Sequence, residues 1–199
     1  MFDVRLDELA ASVRTCGYTS AKESLTAKKA LAQAHHLIRA TRQNGGIVYV
    51  IGNGGSAGIA SHFSNDLMKA LQVPSQTFYD SNLLTCLAND IGYQNIFSYP
   101  LEQMLKPHDL LVAISSSGQS QNILNAAETA HLKEASLMTL TGFNASNPLR
   151  SMGDLNFWIN RKDYGLVETA HFFLLHTIID SWNKQVINES KILRNPLYQ

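Results

Sequence analysis

The stretch Asp109-Leu-Leu-Val-Ala-Ile-Ser-Ser-Ser-Gly-Gln-Ser120 decides the fold, because it passes from an apolar run directly into a polar turn. The five apolar residues 110–114 have the length of a fully buried β-strand. The segment 121–130 that follows the turn has the composition of a helix. A buried strand that leads through a short turn into a helix is the repeating unit of parallel α/β folds.

The turn itself is rich in hydroxyl groups. It contains Ser115, Ser116, Ser117 and Ser120, with Gly118 among them. The N-terminus of the following helix presents unpaired N–H groups and the positive end of the helix dipole, which together attract an anion such as phosphate. Ordinary N-capping is the alternative explanation, but a cap needs one serine and this turn has four. We therefore predict an anion site here.

A second polar turn has the same position relative to its own strand and helix. The apolar strand 47–51 is followed by Gly52-Asn53-Gly54-Gly55-Ser56, and a helix is predicted over 57–71. Glycines at such a turn allow backbone atoms to approach a ligand closely. The spacing is neither that of a dinucleotide-binding turn nor that of a P-loop, which disfavours a nucleotide. Ligands of parallel sheets bind at the carboxyl ends of strands, so both turns are expected to face one cleft.

The rest of the chain continues the alternation of strands and helices. Further strands are predicted over 76–80, 136–142 and 155–159, with helices over 82–88, 96–105 and 164–187 between and after them. This pattern predicts an α/β fold: a doubly wound parallel sheet of about five strands with flanking helices and extra N-terminal helices. We predict one domain, with a helical appendage over 1–44, an α/β core over 45–187 and a tail over 188–199.

Composition excludes several classes of function. The chain has 199 residues and equal numbers of acidic and basic side chains, which gives no electrostatic case for nucleic acid or an anionic membrane as partner. Cys16 and Cys86 are too far apart for a thiol metal motif and suggest no disulfide framework. No apolar run approaches the roughly 20 residues of a membrane helix, and no leader is recognisable, so a cytoplasmic location is expected.

Two predicted helices carry groups suited to catalysis or metal binding. His62 and Asp66 lie one turn apart on the helix predicted over 57–71. Glu168, His171 and His176 lie on the helix predicted over 164–187. Two of these three imidazoles, together with the two carboxylates, could bind a divalent metal such as zinc, or could serve as acid and base. Each residue taken singly could equally be a solvated or hydrogen-bonded side chain, and the pairing leaves both interpretations open.

Four motifs together resemble a known family. Gly52–Ser56, His62-Phe63, Asn89–Gly92 and Ala113–Ser120 resemble the sugar isomerase (SIS) family, and within it the phosphoheptose isomerase branch. The resemblance extends over about residues 25–187. It implies aldose–ketose isomerisation through an enediol, with sedoheptulose 7-phosphate converted to D-glycero-D-manno-heptose 7-phosphate for the heptose of lipopolysaccharide. It also implies a homotetramer with active sites at subunit interfaces and one zinc ion per subunit.

The resemblance also implies roles for individual residues. It assigns the phosphate group to Ser115, Ser116, Ser117 and Ser120. It places the sugar beside Asn53, Gly54, Gly55, Ser56, Asp90 and Glu168. It puts the metal on His62, Asp66, Glu168 and His176, and it gives the acid–base chemistry to Asp66 and His176.

This chain departs from the usual pattern of the branch at two positions. The branch usually has glutamate at position 66 and glutamine at position 168, where this chain has Asp66 and Glu168. Two other functions are implied as alternatives: a non-catalytic regulator that binds the replication initiator protein, and a sugar-phosphate sensor. Such regulators tend to lose the carboxylate of the His-x-x-x-acid pair, so Asp66 favours chemistry or at least metal binding.

Overall fold

The computed structural model describes residues 1–21 and 23–189, with side chains as far as Trp182 in the last helix. From position 190 onward, the predicted tail lies outside the described residues. Within these ranges, no helix is both long enough and apolar enough to cross a membrane.

Seven strands in the described part of the chain form one sheet, in the order β2-β1-β7-β6-β5-β3-β4. Their bounds are Gly17–Ser20 (β1), Glu23–Ser24 (β2), Val48–Gly52 (β3), Ser75–Gln76 (β4), Leu110–Ser115 (β5), Ser136–Gly142 (β6) and Leu155–Ile159 (β7). Strands β3 to β7 are parallel to one another, which confirms the predicted five-stranded parallel sheet. The hairpin of β1 and β2 joins its edge, because β1 pairs antiparallel to β7.

Helices cover both faces of the sheet. Their bounds are Phe2–Arg14 (α1), Ala27–Gln43 (α2), Gly55–Leu71 (α3), Ser81–Asp90 (α4), Ser98–Met104 (α5), Gln121–Leu132 (α6), Pro148–Met152 (α7) and Tyr164–Glu189 (α8). A 3-10 turn, Tyr93–Asn95, connects α4 to α5.

Alternation along the buried strands separates the core into two layers. In β3, Val48 and Val50 point to the layer formed with α2, α3 and α8, whereas Tyr49 and Ile51 point to the layer formed with α4, α5 and α6. Successive side chains of a strand point to opposite faces, so a strand buried on both sides must be apolar throughout. This arrangement confirms the doubly wound architecture.

The N-terminal region differs from its prediction. Two helices are present, but residues 17–20 and 23–24 between them form β1 and β2, so the prediction of helix across this segment is wrong. Tyr18 packs edge-on against Phe157, with 5.5 Å between ring centroids. Residue 17 has no side chain, and a Cβ placed there would lie 3.1 Å from the Trp158 ring. Packing and pairing against β7 therefore override the weak helical pattern.

The sheet brings the two polar turns together. Strands β3 and β5 are neighbours and parallel, with Gly52 paired in register with Ile114. Their carboxyl ends consequently lie side by side at one edge of the sheet. The expectation that both turns face the same cleft agrees with this pairing.

Candidate functional site

The serine turn is closed by its own hydroxyl groups. The Ser115 hydroxyl accepts a hydrogen bond from the Gly118 amide at 3.2 Å and lies 3.3 Å from the Ser120 hydroxyl. The Ser117 hydroxyl accepts from the Gln119 amide at 3.2 Å. Gly118 has a φ of +64°, a conformation that glycine adopts without strain. The turn is therefore ordered by its own hydrogen bonds.

Two groups in this turn retain hydrogen-bonding capacity. The Ser116 hydroxyl is buried and has no partner among the described residues. Ser120 occupies the N-cap position of α6, yet its side chain makes no capping hydrogen bond. The N–H groups that begin α6 lack that partner and carry the positive end of the helix dipole. An anion held here would satisfy both, which suits the predicted phosphate group.

Asn53 links the glycine turn to the start of α6. Its side-chain amide donates to the Asn122 oxygen at 2.9 Å and accepts from the Asn122 amide at 2.8 Å. The Tyr93 hydroxyl also donates to the Asn53 oxygen, at 3.1 Å. Sequence reasoning missed Asn122 and Tyr93. Asn122 lies just after the serine turn, and this position could have predicted it as a site residue. No motif next to Tyr93 indicates a role in the site.

The rest of the glycine turn leaves the backbone accessible. Gly54 and Gly55 are exposed, and Gly54 has a φ of +52°. Ser56 is buried in the first turn of α3.

Asp90 lies at the end of α4, where its carboxylate accepts hydrogen bonds from the Asn89 amide at 2.8 Å and from the Cys86 thiol at 3.4 Å. The Asn89 bond, and then the Cys86 bond, lower the pKa of Asp90. Both contacts are local, so its place beside the sugar stays a prediction.

Three of the four predicted metal ligands come together between α3 and α8. The Asp66 carboxylate oxygen lies 3.3 Å from His62 Nε2 and 3.6 Å from His176 Nδ1. The Phe172 ring packs against both imidazoles, with ring centroids 5.0 Å from His62 and 4.5 Å from His176. The aromatic contact fixes the two imidazoles beside the carboxylate.

This trio has donor atoms suited to a metal ion. One atom from each of His62, Asp66 and His176 lies within 4.8 Å of the other two. Two imidazole nitrogens and one carboxylate oxygen are the donors of many catalytic zinc sites, in which a fourth position stays open for water or substrate. The side chains present therefore fit zinc.

Glu168, the fourth predicted ligand, is not part of this trio. Its carboxylate lies against Gly55 at the start of α3, close enough that a side chain at position 55 would overlap it. Glu168 is half-buried. The structure thus places it at the glycine turn, which suits its predicted contact with the sugar more directly than its predicted contact with the metal.

His171, on the same helix, is a packed side chain. It is fully buried, and its Nε2 lies 3.0 Å from the Thr141 carbonyl oxygen of β6. Burial lowers its pKa to about 4, because a charged imidazole would lose its hydration there. His171 is therefore neutral near pH 7 and joins α8 to the sheet.

The chain is similar to several known proteins. The model of the SIS domain family matches residues 18–142. The phosphoheptose isomerase of Campylobacter concisus is 34% identical over 154 residues, which cover 74% of this chain and 81% of that protein. That of Helicobacter pylori is 32% identical, with 77% and 82% covered. A solved phosphoheptose isomerase from Neisseria gonorrhoeae superposes with a TM-score of 0.75 at 27% identity, covering 91% of this chain and 99% of that one.

Proposed function

Because the chain belongs to the SIS domain family and, within it, to the phosphoheptose isomerases, we propose that it interconverts a ketose and an aldose phosphate. Sedoheptulose 7-phosphate is the proposed substrate, and D-glycero-D-manno-heptose 7-phosphate the product. The observation that carries the proposal is the joining of the two turns by Asn53 and Asn122. A phosphate on the serine turn would lie beside the turn that Glu168 reaches from α8.

The serine turn is proposed to bind the phosphate. Ser116 would donate its unused hydroxyl, and Ser115, Ser117 and Ser120 complete the set of hydroxyls around the α6 N-terminus. These groups are ordered before the ligand arrives, so little conformational entropy is lost on binding. Asn53, held in one orientation by Asn122, would then meet the sugar hydroxyls.

Isomerisation requires a base and an acid at adjacent carbons. A carboxylate must take a proton from carbon, and a second group must protonate the carbonyl oxygen to give an enediol. His176 is a suitable acid, since a protonated imidazole can donate a hydrogen ion to an oxygen atom. The Asp66 carboxylate lies between the two imidazoles, and the Glu168 carboxylate lies at the glycine turn. A zinc ion on His62, Asp66 and His176, when bound, supplies stabilisation of negative charge on oxygen.

A coupled assay with purified protein and sedoheptulose 7-phosphate tests the function. We expect turnover to increase after zinc loading. We expect it to fall at least 100-fold in Asp66→Asn, because this variant lacks the charged carboxylate of the trio. Absence of turnover by the parent, with and without zinc, would overturn the heptose assignment. A panel of phosphorylated ketoses with five to seven carbons would then show whether another sugar is the substrate.

We also propose that the chain assembles as a homotetramer. Apolar side chains are exposed on α1 and α8, including Phe2, Leu6 and Phe173. Large exposed apolar side chains on neighbouring helices favour burial against another subunit. Light scattering coupled to size-exclusion chromatography should give four times the 22.0 kDa mass of the chain. A monomer at micromolar concentration would contradict this proposal.

A non-catalytic regulator is the less favoured alternative. The trio of His62, Asp66 and His176 keeps its carboxylate in contact with both imidazoles. A protein without chemistry or metal has no need for that arrangement. The turnover assay separates the two functions directly.

A further inference from the structure

Three hydrogen bonds use most of the bonding capacity of the Asn53 side chain. Its oxygen accepts from the Asn122 amide at 2.8 Å and from the Tyr93 hydroxyl at 3.1 Å. Its own amide donates one hydrogen to the Asn122 oxygen at 2.9 Å. A side-chain amide has two acceptor lone pairs and two donor hydrogens. Among the described residues, Asn53 is thus left with one unused N–H and no unused lone pair, so it can only donate to a ligand.

The Tyr93 hydroxyl decides this orientation of the amide. Asn53 and Asn122 form a reciprocal pair, so reversing both amides together would preserve the two hydrogen bonds between them. In the reversed pair, Asn53 would turn its N–H towards Tyr93 and offer a carbonyl lone pair to the ligand. The hydrogen of a phenol is acidic, so its hydroxyl is a better donor than acceptor and favours the oxygen of Asn53 as its partner. Tyr93 therefore stabilises the orientation with a free N–H.

The 3-10 turn that carries Tyr93 is itself held by α6. The Asn125 side-chain amide donates to the Gln94 carbonyl oxygen in this turn, at 2.9 Å. Asn125 lies three residues after Asn122, so the two side chains share one face of the helix. This face fixes Asn53 twice, once directly and once through the turn with Tyr93. All of these contacts lie within one chain.

We propose that Tyr93 is a positioning residue of the isomerisation, which holds Asn53 as a hydrogen-bond donor to an oxygen of the bound sugar. This inference rests on the proposed function. Negative charge develops on the carbonyl oxygen as the ketose becomes an enediol, and a preorganised N–H stabilises that charge. A carbonyl lone pair in the same place would repel it. Tyr93 acts through Asn53 and exchanges no proton with the substrate.

The variant Tyr93→Phe tests this role, because it removes only the hydroxyl. We expect kcat with sedoheptulose 7-phosphate to fall about three- to tenfold, as for the loss of one hydrogen bond. KM should stay within about twofold of the parent, since the interaction strengthens as charge develops. Calorimetry should give an unchanged affinity for inorganic phosphate, which needs only the serine turn. Tyr99→Phe, which removes the hydroxyl of an exposed tyrosine on α5, is the matched control and should behave as the parent.

A double variant tests whether Tyr93 acts through Asn53. We expect Asn53→Ala alone to lower kcat at least tenfold, because the donor is lost. Adding Tyr93→Phe to Asn53→Ala should change kcat by less than about twofold, since the hydroxyl then has no amide to orient. A purely structural role of Tyr93 would instead give the same loss in both backgrounds.

The possible outcomes separate this role from the others. If Tyr93→Phe has the same kcat as Tyr99→Phe, or if its effect is independent of Asn53, the inference is overturned while the proposed function stands. If phosphate affinity falls in proportion to kcat, Tyr93 supports the serine turn and the inference is again overturned. If the parent turns over no phosphorylated ketose, the proposed function fails, and the inference fails with it.

Discussion

Asn53 and Asn122 exchange two hydrogen bonds between their side-chain amides, at 2.9 and 2.8 Å. The pair joins the turn after β3 to the first turn of α6. Asn122 is buried, so the pair is protected from competition by water. The orientation of one turn therefore depends on the other.

Removal of either side-chain amide should destabilise the fold, because the other amide loses its hydrogen-bond partner. We expect Asn122→Ala to reduce the free energy of unfolding by about 1–3 kcal/mol, because Asn53 loses its buried partner. Combined with Asn53→Ala in a double-mutant cycle, urea unfolding should give a coupling energy of about 0.5–3 kcal/mol. Strict additivity of the two substitutions would contradict the pairing.

The parallel sheet was predictable because its strands are buried on both faces. Strand β5 had to be apolar from Leu110 to Ile114, and the abrupt change to serine marked its end. The hairpin of β1 and β2 was not predictable in the same way. Its four-residue strand, Gly17–Ser20, has one tyrosine and small polar residues, and it is stabilised by pairing with a strand more than 130 residues later.

Gly118 should tolerate no side chain. Alanine there would adopt a positive φ and would also overlap the Asn147 side chain. Gly45→Ala is the matched control, since Gly45 has a φ of +68° with nothing within 4 Å of the new methyl group. We expect both variants to be destabilised by about 1–3 kcal/mol through backbone strain. Gly118→Ala should lose about 1–3 kcal/mol more through overpacking, as measured by urea unfolding. Equal losses would show that Asn147 moves away freely.

Substitution of Ser116 by alanine should weaken ligand binding without lowering the stability of the fold. Its buried hydroxyl has no partner among the described residues, so Ser116→Ala should leave the melting temperature unchanged or raise it. A hydrogen bond to a charged phosphate contributes about 1.5–3 kcal/mol, so affinity for sedoheptulose 7-phosphate should fall about tenfold or more. Calorimetry measures both quantities. Ser61→Ala, on the exposed face of α3, should change neither. A lower melting temperature with intact affinity would assign Ser116 to packing.

The candidate site shows what spacing can and cannot predict. A separation of four residues placed His62 and Asp66 on one face of α3, and the structure confirms their contact at 3.3 Å. No spacing rule states how α8 lies against α3, so sequence grouped Glu168 with His176. The tertiary packing separates them: His176 reaches Asp66, whereas Glu168 reaches Gly55.

Zinc should stabilise the folded chain through the trio. Ligand binding to the folded state alone adds about 2.7 kcal/mol at a free concentration of 100 times the dissociation constant. We therefore expect added zinc to raise the melting temperature of the parent and to leave His62→Ala unchanged. His36→Ala removes an exposed histidine of α2 and should respond as the parent does. An equal response of His62→Ala would remove His62 from the metal site.

Stability in acid should depend on His171. Its pKa is about 4 in the folded chain, against an ordinary value of 6.5, because burial disfavours the charged imidazole. Between these pH values the unfolded chain binds more protons than the folded chain, so the free energy of unfolding falls as the pH falls from 6.5 to 4. The loss from this group is at most about 3 kcal/mol. His171→Leu should remove that part of the pH dependence in urea unfolding, although it also loses the bond to Thr141 at every pH. His108→Gln, which changes an exposed histidine, should keep the parent's slope, and an unchanged slope in His171→Leu would refute the assignment.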